Sequence, residues 1–112
     1  MEIIPAQSPE TITVRMLLEL GIPAHRAGYS QLCIAIPHFS EYKNANLSDG
    51  LYFYVSNTLH CTGWRAVERA IRHVITDAWK RRDPEVWAQY FPFCKRPPSN
   101  KRFIATLAEY IR

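Results

Sequence analysis

The apolar residues Trp64, Val67, Ala70, Ile71, Val74, Ile75 and Ala78 recur at the three- and four-residue spacing of a helix with one buried face. Between them stand Arg65, Glu68, Arg69, Arg72, His73, Thr76 and Lys80. At about 100° per residue, Arg65, Glu68, Arg69, Arg72 and Thr76 converge on one outward stripe. Ahead of this helix, Leu51, Tyr52, Val55 and Leu59 fit a short helix, although Leu51-Tyr52-Phe53-Tyr54-Val55 favours a strand by propensity alone. His60-Cys61-Thr62-Gly63 between the two has the length of a turn. Thr62 is the expected N-cap of the long helix, and Gly63 permits a tight reversal. Short helix, turn and long cationic helix form the outline of a helix-turn-helix over about residues 51–81.

The remaining elements read in the same way. Ser8-Pro9-Glu10 is a helix start, with a capping hydroxyl, proline at the first position and an early acid. Ile12, Val14, Leu17 and Leu18 give that helix its buried side, and Gly21 stops it. A second helix is expected from Ala27 to about Ile36, buried through Tyr29, Leu32, Cys33 and Ile36 and broken near Pro37. A short piece or loop then runs through Phe39 to Lys43. Asn44 to Gly50 is polar, with Ser48 or Asp49 available to cap the Leu51 helix. Asp83-Pro84-Glu85 repeats the cap, proline and acid, opening a helix with Val86, Trp87 and Tyr90 inward. Phe91 to Pro98 is a loop. Ser99 caps a last helix whose apolar side is Phe103, Ile104, Leu107, Ala108 and Ile111. The expected architecture is all-α, a compact bundle of about six helices: a tail over residues 1–7 and one domain over 8–112.

A chain of 112 residues with 47% hydrophobic content supports one packed core and argues against disorder. No apolar run approaches the roughly 20 residues of a membrane span, and the N-terminus lacks a signal-peptide pattern, so a cytoplasmic location is expected. Cys33, Cys61 and Cys94 are odd in number and widely spaced, which suits reduced thiols.

Charge sharpens the picture. There are three basic and five acidic side chains before residue 60, six and two over 60–82, and five and three beyond. The net charge of +4 is therefore generated by the long helix and the C-terminal segment after it. A field placed that way favours a polyanion approaching one side.

Other chemistries find no footing. The histidines His25, His38, His60 and His73 have no partners at metal-ligand spacing, and no metal or cofactor is expected. There is no G-x-S-x-G, P-loop or Rossmann glycine pattern, and Asp83 with Glu85 is explained by a helix start. No catalytic residues and no small-molecule substrate are expected.

Read from the residues, the long helix suits the major groove. Arg69 and Arg72 can each pair with guanine O6 and N7, Glu68 can accept from cytosine N4, and Arg65 reaches a base or a phosphate. Thr62, His73, Lys80, Arg81, Lys95, Arg96, Lys101 and Arg102 are candidates for backbone contacts. Trp64 is a core anchor or a contact to a thymine methyl, with the core preferred.

The run Val67-Glu68-Arg69-Ala70-Ile71-Arg72-His73, with Ala78-Trp79 beyond it, resembles the DNA-binding effector domain of the sporulation stage-zero response regulators of endospore-forming bacteria. Gly21-Ile22-Pro23-Ala24-His25, Gly28-Tyr29, Leu51-Tyr52 and Phe103-Ile104-Ala105 extend the likeness in order, from about Ile12 to Arg112. The resemblance implies base-reading roles for Glu68, Arg69 and Arg72, a backbone role for His73, and binding to double-stranded DNA as a tandem homodimer. It places dimer contacts on the terminal helix, where Phe103, Leu107 and Ile111 either leave apolar surface for self-association or pack inward.

Several features depart from the family. Ala66 stands where an Arg is common, Arg65 lies one residue earlier, and Pro37 interrupts a helix that otherwise runs on. The family joins a phosphorylated receiver ahead of this domain. The starting Met and the tail favour a stand-alone relative over an excised fragment. The expected function is a sequence-specific transcriptional regulator. The alternative is a non-catalytic interaction module that pairs with a full-length regulator.

Overall fold

The structure, a computed structural model, describes residues 7–42 and 50–111. The described residues form six helices and no strand: α1 Pro9–Glu19, α2 Ala27–Glu41, α3 Tyr52–Thr58, α4 Trp64–Lys80, α5 Pro84–Tyr90 and α6 Asn100–Ala108. The expected tail over residues 1–7 and the expected caps at Ser48 or Asp49 fall outside the described residues, Gln7 apart. No helix among the described residues is long and apolar enough to cross a membrane.

The Ser8 side chain caps α1 by accepting from the Thr11 amide at 3.1 Å. At its other end the chain turns at Gly21, where Ile22 N–H reaches the Leu17 carbonyl and Gly21 N–H that of Leu18. These two bonds close a Schellman motif. The buried side of α1 is displaced by one residue from the expected one. Thr13, Met16, Leu17 and Leu20 face inward, Ile12 and Val14 are half-buried, and Leu18 is 55% exposed. Thr13 takes a core position because its hydroxyl donates to the Pro9 carbonyl at 2.7 Å, removing the cost of burying it.

α2 is the central element, touching α1, α3, α4 and α6. It does not break at Pro37 but runs through it to Glu41, with the Tyr42 N–H still reaching the His38 carbonyl at 2.9 Å. A proline inside a helix costs about 3 kcal/mol. Contacts on both sides of the ring offset it: Ala35 and Ile36 are buried before it, while after it His38 stacks on Tyr54 at 3.8 Å and Ser40 donates to the Ile111 carbonyl.

α3 is helical despite its strand-favouring composition. Leu51, Tyr52, Val55 and Ser56 are buried at helical spacing, and packing on α4 overrides local preference. Leu59, expected inward, lies past the helix end and is 36% exposed.

α5 begins with the Asp83 carboxylate accepting from the Glu85 amide and is anchored by Trp87. The Trp87 indole donates to the Leu20 carbonyl at 3.1 Å, joining α5 to the end of α1. Val86 and Tyr90 are only half-buried. Trp79, Trp87, Phe91 and Phe103 form one aromatic cluster, with Phe91 stacked on Phe103 at 5.5 Å. Ser99 caps α6 through the Arg102 amide, and Phe103, Ile104, Leu107, Ala108 and Ile111 all enter the core.

Candidate nucleic-acid interface

α3 and α4 are joined by residues 59–63 and pack on one another. The turn has a definite geometry. Cys61 N–H bonds the Ser56 carbonyl at 2.8 Å and His60 N–H bonds that of Asn57, so α3 closes on a second Schellman motif. His60 occupies its left-handed position, with φ 56°. Gly63 comes next at φ 152° and is itself the N-cap of α4, without a side-chain bond. Thr62 is therefore not the cap. Its side chain is exposed at the rim of the turn.

The inward face of α4 is Val67, Ile71, Val74, Ile75 and Ala78, all buried, while Trp79 at its end is buried under Trp87 of α5. That face locks the rotation of the helix, so the opposite one is directed by packing rather than by its own side chains. Arg65, Glu68, Arg69, Arg72 and His73 are exposed there, with Thr76 half-buried at the edge. The structure thus brings the four expected base-reading residues onto one outer surface. Trp64 is half-buried against the core, and the Arg65 guanidinium stands over its ring at 5.3 Å.

Glu68 and Arg72 do not form an ion pair. Among the described residues the ion pair on α4 is Arg81 with Asp77, at 3.0 Å. The Arg69 and Arg72 guanidiniums therefore keep their donors directed to solvent, and Arg81 is partly engaged. Lys80, Lys95, Arg96, Lys101 and Arg102 are exposed.

Two positioning residues carry no charge and so escaped a reading based on charge. The Asn100 side chain, in the first turn of α6, donates to the Glu68 carbonyl at 2.9 Å. It fastens the loop before α6, and with it Lys101 and Arg102, beside the outward half of α4. Tyr52 of α3 faces the same place. Burial pushes its phenol above the usual value, the Asn100 hydrogen bond works the other way, and the nearby Glu68 charge adds to the rise. Arg82 was also missed; it lies over the Trp79 ring at 3.8 Å and donates to the Trp79 carbonyl, so packing holds it at the end of α4.

Phe103 and Leu107, at 0% exposed, and Ile111, at 6%, belong to the core. Of the two alternatives open for these side chains, they pack inward. Tyr110, 49% exposed, is what remains on that side.

Residues 13–111 match the family model described as the sporulation initiation factor Spo0A C terminal. The matched span takes in all of α2 to α6 and the exposed arginine stripe of α4. That family is a DNA-binding, non-catalytic domain, and this chain belongs to it.

Proposed function

We propose that this chain is a sequence-specific transcriptional regulator that lays α4 in the major groove of double-stranded DNA. In that pose α3, the turn and α4 act as a helix-turn-helix. Arg69 and Arg72 meet guanine O6 and N7, Glu68 accepts from cytosine N4, and Arg65 reaches the edge of the site. Thr62, His73, Lys80, Lys95, Arg96, Lys101 and Arg102 meet phosphates, as does Arg81 once released from Asp77.

The observation that carries this reading is the stripe itself. Three arginines and one glutamate stand exposed and without ion-pair partners among the described residues, on a helix whose other face is buried. A merely solvated helix face of this length would gain from pairing Glu68 with Arg72 at i, i+4, by about 0.3–0.5 kcal/mol. Side chains left unpaired on a rigid support are disposed for an external partner.

Selection of binding duplexes from a random pool, with the unmodified chain and with Arg72→Ala, tests the assignment. The expected result is a defined site for the former and lost preference at one base pair for the latter, at a cost of about 1–3 kcal/mol. An identical preference in both would rule out Arg72 as a base reader.

A further inference from the structure

Phe93 is 99% exposed, although it is a large apolar side chain in a chain with a well-filled core. Its backbone lies at φ 62°, a left-handed conformation that residues with a Cβ avoid. Among the described residues no hydrogen bond or ring contact offsets either feature. Such an outlier points towards a use outside the fold.

The surroundings of Phe93 indicate what it meets. From Val86 to Ala108 the sequence has four basic residues, Lys95, Arg96, Lys101 and Arg102, and no acidic one. Phe93 stands between two shallow grooves, one bordered by Trp79 and Arg82, the other by Arg96 and Arg102. Cations on both sides of an exposed ring suit a polyanion better than an apolar protein surface.

The loop also adjoins the proposed interface. It begins beside Trp79 and Arg82 at the end of α4, and ends where Asn100 bonds the Glu68 carbonyl at 2.9 Å. Glu68 and Trp79 are about 16 Å apart along the helix axis and only about 20° apart around it. Arg72 lies about 40° from Glu68 on the same wheel. The loop therefore runs along the border of the arginine stripe.

We propose that Phe93 is a second DNA contact, an apolar wedge that enters the minor groove next to the major groove held by α4. Lys95 and Arg96 clasp the intervening phosphates, and the ring partly unstacks one base step and kinks the duplex. Pyrimidine–purine steps open most readily. The chain then prefers such a step at a fixed offset from the bases α4 reads, without a hydrogen bond to it. This contact rests on the major-groove reading of α4.

The test uses the full chain and a duplex recovered by random-sequence selection, with 2-aminopurine placed in turn at each position beside the α4 footprint. Phe93→Asn removes the ring and tolerates the left-handed backbone; Phe93→Leu keeps an apolar wedge. The expected result is a fluorescence rise at one step with the unmodified chain and with Phe93→Leu. Phe93→Asn loses that rise and binds about ten- to a hundredfold more weakly, with unchanged thermal unfolding. Lys95→Ala with Arg96→Ala lowers the salt slope of log K by about two. A Phe93→Asn chain with full affinity and an unchanged fluorescence profile overturns the wedge, while loss of base preference by Arg72→Ala in the same assay leaves the α4 reading standing. If the unmodified chain binds no duplex at low salt, both are overturned together.

Discussion

The backbone of Gly28 in α2 lies against Val74 in α4 so closely that a Cβ there would sit 2.7 Å from Val74 Cγ2 and 2.6 Å from the Ala70 carbonyl oxygen. This is where the central helix crosses behind the arginine stripe, and the missing side chain sets how near it comes. Gly28→Ala forces the helices apart and is expected to destabilise the fold by about 1–3 kcal/mol, as overpacking does. Adding Val74→Ala clears two of the three close atoms but not the Ala70 carbonyl, so rescue should be partial at best. Thermal unfolding of the single and double variants measures it; a Gly28→Ala chain as stable as the parent would mean that the crossing yields freely.

The Trp87 indole is a second fastening, this one between α5 and the end of α1. Trp87→Phe keeps much of the aromatic packing but leaves the Leu20 carbonyl without its donor, at a site where the ring is 2% exposed. The expected loss is about 1–3 kcal/mol. Denaturant unfolding should show a lower midpoint with an unchanged slope; a shift within error would mean that water replaces the indole without penalty.

How much of the fold was legible in the chain depends on which forces act locally. The α4 stripe could be placed because seven apolar residues at one period, Trp64 to Ala78, leave a single way to bury the helix. The caps at Ser8, Asp83 and Ser99 were equally readable, since each needs only a side chain and an amide two or three residues away. Errors arose where a contact outside the apolar pattern decides, whether one turn away or from another element. Thr13 replaced Val14 in the core through a bond to Pro9, and α2 ran through Pro37 because Ile36, His38 and Ser40 are held by other elements. Gly63 rather than Thr62 caps α4, because the Schellman turn after α3 directs the chain there. At the interface, the arginines announced themselves by charge, whereas Asn100 and Phe93 matter through position alone.

Pro37 offers a gain rather than a loss. Its nitrogen cannot donate within α2, and its ring crowds the turn before it, yet the helix continues on either side. Pro37→Ala restores a donor without altering the buried residues, so the chain should be stabilised, by up to about 3 kcal/mol. A higher melting temperature with unchanged helix content is the expected outcome. A lower one would show that the ring makes a necessary contact in the groove it lines with Ile12 and Tyr54.

Tyr90 supplies a pH signature. Its hydroxyl donates to the Glu19 carboxylate at 2.7 Å, and its ring meets Tyr110 at 5.0 Å. Burial foremost, then the hydrogen bond to Glu19 and its negative charge, push the phenol up to about 12, from an ordinary value of 10.0. A folded-state value above the unfolded one means that the folded chain holds this proton more tightly. The associated stability is fully present below pH 10 and is lost as the pH climbs through about 12. Tyr29 and Tyr52, also raised chiefly by burial, act in the same direction. Tyr90→Phe should therefore lower stability at neutral pH and flatten, without abolishing, its decline over that alkaline window. Unfolding midpoints followed from pH 8 to pH 12 decide the matter: parallel curves for parent and variant would show that Tyr90 ionises in the folded chain as freely as in the unfolded one.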